Sequence, residues 1–454
     1  MAAREQRALL KKQLALKGFP CVSLSLNVPG FPKSNETAQL FFDYCLNDLT
    51  YFLKAHLVEI QHKEGFKIRD AAGDFFIAPC SSGKHSLAEL KQICEDFEES
   101  HQLGRLIDVD LNDEQGNTLS SGKSKLCFFC KEKPAIECRR SNAHDPEQLR
   151  SFMFAGMNKY CSLRREHELA KRFSSLGLKA LLYEISLTPK PGLVDKFSNG
   201  SHTDMNYQTF IDSSVAISQW FTELVYAGFA FRGNDYTKVL PLIRNIGLRM
   251  ESAMNEATGK INTQKGIIFL MGLSLFACGK LYSQNDRFEE ESFRDIIRES
   301  CMNMVARELN HSNQAGRSHG EAIFQKYGHS GARGEAESGF RTVFEFGLPQ
   351  LSGLTVLNDN ALIKCFLAIA SKNNDTNILY RRGPEVLSAF QGLCKEAAEN
   401  FNEANYAKVI EFCKSENISP GGSADLLAVS IFVWSVIDAD RREVNPSLSK
   451  TNDF

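Results

Sequence analysis

The sequence predicts an α+β N-terminal domain followed by a larger, mostly all-α helical-bundle domain, and three observations predict it. The chain has 454 residues, more than the roughly 250–300 at which a single hydrophobic core stops growing. In its first third the apolar residues mix a period of two with a period near 3.6, whereas from about Leu163 the helical period dominates. Apolar residues make up 43% and charged residues 24%, a balance that fills cores and does not suit a disordered chain. The expected domains are 1–165 and 166–454, joined between His144 and Leu178 by a charged surface helix carrying Arg164, Arg165, Glu166 and Lys171.

Along the first domain, Cys21–Val28 alternates apolar and polar residues and stops at Pro29-Gly30, the pattern of a half-buried strand entering a turn. Phe75–Pro79 and Leu106–Leu111 read as further strands, and His85–Gln102 as a helix with Leu87, Leu90, Ile93 and Phe97 on one side. In the second domain, helices are predicted over Phe210–Phe231, Val239–Met254, Lys265–Tyr282, Glu290–Leu309, Ala361–Ser371, Gly383–Phe401 and Ser423–Ile437. The polar tail after Asp440 is expected to fray.

Composition also excludes functions. A formal net charge of −2 leaves no basic surplus with which to neutralise nucleic-acid phosphates. Thirteen cysteines, odd in number and dispersed, behind a charged N-terminal segment with Arg4, Arg7, Lys11 and Lys12, fit reduced thiols in the cytoplasm. The longest apolar run, Gly266–Ala277, falls short of the roughly 20 residues that cross a bilayer. Neither a nucleic acid nor a membrane is an expected partner.

Two clusters in the first domain point to chemistry. Cys127, Cys130, Cys138 and His144 form a compact set whose spacing suits a tetrahedral Zn²⁺, or else a group of ordinary reduced thiols. Asp108 and Asp110 lie two apart in a strand and so share one face. They would either ligate Mg²⁺ for a transfer that expels pyrophosphate, with Arg105 as phosphate clamp, or form a solvated edge. Ser100-His-Gln-Leu-Gly-Arg-Leu-Ile-Asp-Val-Asp110, with Cys127, Cys130, Cys138, Arg140 and His144, resembles the signatures of holo-citrate lyase synthase over about residues 1–160. Gln102 departs from that family's usual proline, and Arg4, Arg7 and Gln13 match its N-terminal segment loosely. The resemblance implies attack of a serine hydroxyl of the apo acyl carrier protein (gamma) subunit of citrate lyase on the phosphate nearest the ribose of the donor. Pyrophosphate leaves.

The second domain lacks the usual Gly-x-x-x-x-Gly-Lys-Ser/Thr phosphate loop. It carries instead a series of Gly- or Pro-marked junctions between helices. Thr188–Asp195 is a rigid turn presenting Lys190 and Asp195, and Asn199–Met205 follows with His202 and Asp204. Ile261–Gly266 supplies Asn262, Thr263 and Lys265 at a helix start, a natural anion site. Gly328–Glu335 reads as a flexible basic loop with Gly331, Arg333, Gly334 and Glu335, and Asp375–Asn377 and Ser419–Asp425 bring Asp375, Asn377 and Asp425. Together they suggest one Mg²⁺ and polyphosphate pocket at the helix ends.

In that order the strings LTPKPGLVD, NGSHTDM, INTQKG, GARGEAESGF, DTN and SPGGSADLL resemble triphosphoribosyl-dephospho-coenzyme A synthase over nearly all of residues 178–438, with Gln264 where the family commonly has histidine. That implies transfer of the triphosphoribosyl group of ATP to the 2′-hydroxyl of 3′-dephospho-CoA, with loss of adenine. It implies Lys190, Lys265 and Arg333 on the triphosphate, Asp195, Asp204 and Asp375 on Mg²⁺, and Glu335 or Asp425 as acid–base, with His202 able to protonate adenine. Two alternatives stand beside it. The client could be malonate decarboxylase, or the first domain could be only a zinc-stabilised docking module for the carrier protein.

Overall fold

The computed structural model describes residues 2–81, 83–119, 125–309 and 319–444. It divides into two compact units, Met1–Arg165 and Glu166–Phe454.

The N-terminal unit is α+β. Its elements are α1 (Ala2–Ala15), β1 (Cys21–Leu26), α2 (Glu36–Ala55), β2 (Glu59–Ile60), β3 (Phe66–Asp70), β4 (Gly73–Ser81), α3 (Leu87–Ser100), β5 (Ile107–Asn112), β6 (Thr118–Leu119), α4 (Ala135–Arg140) and the first half of α5 (Pro146–Ser186). The antiparallel sheet has the order β2-β4-β1-β5-β6, with β3 also on β4. Alternation decides what each face does. Val22, Leu24, Phe76, Ala78, Ile107, Val109 and Leu111 turn into the main core with α2, α3 and α5, around Phe41, Phe42 and Phe97. The other face pairs Ser23 with Asp110 and Ser25 with Asp108, next to Ile77 and Phe75, and α1 lies against it through Leu14. Helix α2, capped by Asn35 and buried through Phe41, Phe42, Leu46 and Leu49, is absent from the sequence expectations.

The second unit is all α among the described residues. After the second half of α5 come α6 (Tyr207–Ser218), α7 (Phe221–Ala230), α8 (Val239–Ala257), α9 (Lys265–Tyr282), α10 (Glu290–Cys301), α11 (Met304–Leu309), α12 (His319–Tyr327), α13 (Gly331–Glu337), α14 (Asp359–Ala370), α15 (Thr376–Arg382), α16 (Pro384–Glu399), α17 (Glu403–Ser415) and α18 (Gly421–Val444). Three expectations change. Phe210–Phe231 is two helices, broken at Gln219-Trp220. Glu290–Leu309 breaks where Asn303 takes φ 58°. The flexible loop expected over Gly328–Glu335 becomes the start of α13, with Gly331 at φ 55° leading in.

The middle of the unit is filled by α9 and α18. Both are long and apolar enough to cross a membrane by length and composition, yet 83% and 72% of their apolar windows are buried inside the fold. They pack on each other and on α7 and α14 in one continuous core. Residues expected to fray directly after Asp440 remain helical to Val444, and the rest of that tail lies outside the described residues. No disulfide joins the thirteen cysteines.

Candidate active site

In the helical unit, the helix starts and the turns between helices enclose a polar cavity of about 470 Å³. It gathers Lys190, His202, Asp204, Asn262, Thr263, Lys265, Gly331, Glu335, Asn377 and Asp425 from segments spread over more than half of the unit. It also takes in Gln264 and Ser419 from within the motifs, and Glu184, Asn373, Asn374 and Arg381, which the motifs did not include.

Each position has a local cause. Lys190 is buried and its ammonium lies 2.6 Å from Glu184, on the last turns of α5. A charged residue within the apolar stretch Leu181–Ile185 was the one available signal for Glu184. His202 contacts the Ser419 hydroxyl at 2.8 Å through Nε2. Burial first, then the Arg381 guanidinium, lowers its pKa, with Asp204 opposing. At neutral pH His202 is therefore chiefly neutral, a poorer proton store than its position suggests. Asn262 accepts the amide N–H of Lys265 at 3.2 Å, and Thr263 donates to Ser213 at 2.8 Å, so this turn is braced before α9 begins. Gln264 is buried on Ser213 and Ser214.

Asp425 lines the cavity next to Gly266 and accepts no hydrogen bond from a protein donor among the described residues. Burial pushes its carboxyl well above the ordinary carboxylate range, and the Glu184 and Asp375 carboxylates add to the shift. Glu335, also raised by burial, accepts the Thr342 amide at 3.1 Å and the Thr342 hydroxyl. Among the carboxyls that line the cavity, these two are the ones whose burial favours the protonated form.

Four expected residues stand elsewhere. Asp195 is buried with both oxygens occupied, one by the Lys190 amide and the other by those of Phe197 and Ser198, each at 2.9 Å. Asp375 caps α15 through the Asn377 amide and ties down Ser423 at the start of α18. Neither lines the cavity, and each already accepts three hydrogen bonds from the protein, so the structure does not bring either to Mg²⁺ in this cavity. Of the three carboxylates assigned to Mg²⁺, only Asp204 faces the cavity, with its side chain 60% exposed. Arg333 is bound to Glu308 at 3.0 Å, a carboxylate that also pairs with Arg244. It lines a second, more apolar cavity of about 790 Å³ with Leu240, Ile243, Leu248 and Ile268. Gly334 lines neither cavity; it clears the Ser330 hydroxyl within the turn. The two cavities share Asn262, Lys265, Gly266, Ala332 and Asn377 as a common wall. Lys265 itself is mostly exposed and pairs with Glu251 at 3.0 Å.

In the N-terminal unit, Asp108 and Asp110 do share one face, over which α1 lies. Lys11 reaches Asp110 at 4.0 Å, while Arg7 is spent on Asp70 at 2.7 Å and on the Phe75 ring. Burial, then Asp110 and Glu98, raises the pKa of Asp108, and Lys125 and Lys91 pull it back. Arg105 donates from Nε to the Leu126 carbonyl at 3.0 Å. Its turn passes against the end of α3, where a Cβ on Gly104 would sit 2.7 Å from the Glu98 carbonyl carbon, so only glycine fits. Cys127, Cys130, Cys138 and His144 come together with their four ligand atoms within 4.8 Å of one another, a Cys₃His set able to hold a metal ion. Backbone N–H groups lower the Cys130 pKa to about 6, whereas burial raises that of Cys138 to about 11.

Comparison with known proteins follows the same division. Residues 170–444 match the family described as ATP:dephospho-CoA triphosphoribosyl transferase, and residues 1–169 match apo-citrate lyase phosphoribosyl-dephospho-CoA transferase. An α+β unit and a helical unit, each with its own cluster of acids and bases and each matching a transferase family, make this a bifunctional transferase. Relatives extend over both parts. The protein CitXG of Haemophilus influenzae is 31% identical over 95% of this chain and 94% of its own length. That of Leuconostoc mesenteroides subsp. cremoris is 31% identical over 96% of each. The 2-(5''-triphosphoribosyl)-3'-dephosphocoenzyme-A synthase of Haemophilus ducreyi is 36% identical over 68% of this chain and 99% of its own. The chain belongs to the CitXG family, which serves synthesis and transfer of the citrate lyase prosthetic group.

Proposed function

We propose that the helical unit joins C1 of the ATP ribose to the 2′-hydroxyl of 3′-dephospho-CoA, releasing adenine and keeping the triphosphate. The N-terminal unit then passes the product to a serine of the citrate lyase acyl carrier protein. There the serine oxygen bonds to the phosphate nearest the ribose, and pyrophosphate departs. The observation that carries this reading is the convergence of acids, bases and helix-start amides from six separate segments on one cavity.

Such a glycosyl transfer passes through an oxocarbenium-like state, which needs an acid for the leaving base and a base for the incoming hydroxyl. Asp425, whose raised pKa keeps a proton available, protonates adenine as it leaves. Glu335, across the cavity, takes the proton of the acceptor hydroxyl. Lys265, Arg381 and the first amides of α9 and α18 hold the triphosphate. Mg²⁺, when bound, neutralises phosphate charge, with Asp204 as the ligand this chain offers. Lys190 holds Glu184 and so keeps the floor of the cavity from repelling the substrate. The second cavity, which adjoins the first across Lys265 and Gly266, suits the long amide-and-thiol arm of the acceptor.

In the N-terminal unit, Asp108 and Asp110 with Lys11 and Arg105 form the transfer site, and the Cys₃His set holds Zn²⁺ as a structural ion. Relatives named CitXG that span the chain favour citrate lyase over malonate decarboxylase as the client. The test is to mix the protein with ATP, Mg²⁺ and 3′-dephospho-CoA and follow adenine by chromatography. A folded sample that releases none refutes the assignment of the helical unit. Mass spectrometry of each apo carrier protein after incubation identifies the client, since only the true one gains the prosthetic mass.

A further inference from the structure

We propose that a zinc ion clipping residues 127–144 is what positions Arg105 and Lys125 at the Asp108 strand, so that the metal serves carrier transfer and not the ATP reaction. The inference rests on reading the N-terminal unit as the transferase.

The distances favour an ion over free thiols or a disulfide. Tetrahedral Zn²⁺, with bonds of about 2.3 Å to sulfur and 2.0–2.1 Å to nitrogen, sets neighbouring ligands about 3.8 Å apart for S···S and about 3.5 Å for S···N. Cys130 Sγ and Cys138 Sγ lie 3.7 Å apart, and Cys127 Sγ and His144 Nε2 lie 3.4 Å apart. A disulfide would need about 2.05 Å between sulfurs. All four ligand positions come from the protein, so the ion has no open position for substrate. It is structural.

What the ion would hold follows from the residues beside the first ligand. Leu126 pairs with Pro134, Cys127 donates its N–H to Lys133 at 2.7 Å, and Ala135 donates to Lys125 at 2.9 Å, closing a small hairpin. That hairpin turns the Leu126 carbonyl to Arg105 Nε and brings Lys125 Nζ onto Glu98. The other Glu98 oxygen takes the Val109 N–H at 2.6 Å, on the residue between the two aspartates. The terminal amines of Arg105 are left without a protein partner among the described residues, ready for a phosphate. Apolar contacts anchor only part of the segment: Phe128 and Phe129 stack on Phe152, while Leu126 and Ile136 on the two arms are 53% and 55% exposed. A metal held by all four ligands would fix those arms, because metal binding couples directly to local order.

The test uses the full chain. Elemental analysis should find one zinc per chain, and cobalt replacement should give thiolate-to-cobalt absorption that Cys130→Ser removes. Metal-stripped protein should attach the prosthetic group about tenfold or more slowly, recover when refilled with cobalt, and release adenine at an unchanged rate. Arg105→Ala should lower kcat for attachment with the cobalt spectrum intact and KM for the carrier protein unmoved. Arg105→Lys, which cannot bond the Leu126 carbonyl in the same way, should not rescue it. A folded wild type without zinc or cobalt bands, or stripped protein that attaches at the full rate, overturns the proposal. A wild type that binds zinc but never modifies a carrier overturns instead the transferase reading, and the positioning role with it.

Discussion

Replacing Gly266 by alanine probes the proton-holding role of Asp425 without touching that residue. The new Cβ would lie 3.1 Å from Asp425 Cγ and closer still to Oδ2. Ordinary carbon contacts need about 3.5–4.0 Å, so Cγ retreats by several tenths of an ångström and the nearer oxygen by about 1 Å. Misplacing a catalytic group by about 1 Å costs on the order of 100-fold in rate. That equals about 2.7 kcal/mol of barrier. The helix propensity of alanine, worth up to about 1 kcal/mol, offsets part of the roughly 1–3 kcal/mol that crowding a buried side chain costs. The expected result is a kcat for adenine release about 100-fold lower at saturating ATP, 3′-dephospho-CoA and Mg²⁺, with at most a modest fall in melting temperature. A variant that keeps kcat within about twofold of wild type would show that the Asp425 position does not limit the reaction.

Asp425 also sets a pH dependence. Its folded pKa is raised, so its contribution to stability is intact below the pH at which the unfolded chain loses this proton and is lost as pH rises through the folded value. Asp425→Asn should therefore melt higher than wild type, by a margin that widens from acid to neutral pH in calorimetry, and should lose the alkaline fall in adenine release; a lower melting point at pH 8 would contradict the shift. Lys190→Met strips the buried Glu184 of its cation at a cost of about 3–5 kcal/mol, to be read as a lowered denaturant midpoint that adding Glu184→Gln largely restores. Gly247 lines the second cavity, where a Cβ has room and a ring would occupy space that the acceptor arm is proposed to fill. Gly247→Phe should raise KM for 3′-dephospho-CoA about tenfold while leaving KM for ATP alone, and an equal rise in both would remove the acceptor arm from that cavity.

The helices with a sustained apolar stripe, α9, α14 and α18, were legible because their burial runs nearly all round. The break between α6 and α7 was not. No glycine or proline marks Gln219-Trp220, and the chain turns there because α6 packs on α8 while α7 packs on α9. For the site, the junction segments were readable from their Gly and Pro residues, but the use of each carboxylate was not. Asp195, Asp375 and Asp425 look alike in sequence; the first two are consumed by backbone amides and the third is left without a donor. Arg333 pairs with Glu308 on another helix, a partnership no local pattern announces. The Cys₃His cluster was the most legible feature of the N-terminal unit, since its four residues fall within eighteen positions, and α1 over the aspartate face was the least, being a tertiary contact alone.

The first and last helices of the synthase unit depend on each other. Phe173, on α5, meets the Tyr282 ring edge-on at 4.7 Å, and Arg172 pairs with Asp440 near the end of α18. Asp440 also accepts the Tyr282 hydroxyl at 2.6 Å and the Phe288 amide at 2.7 Å. During synthesis the chain emerges from its N-terminus and domains fold as units. The transferase unit can close once residues to about Arg165 have left the ribosome, whereas α5 beyond it meets Phe221 and Leu275 on α7 and α9 first and gains its Asp440 partner only when α18 follows. For some 270 residues of translation the nascent chain thus couples a finished domain to an open apolar core. Helper proteins that shield such surfaces have their longest task here on the second enzyme, and a premature stop before Gly421 yields a transferase tethered to an aggregating tail.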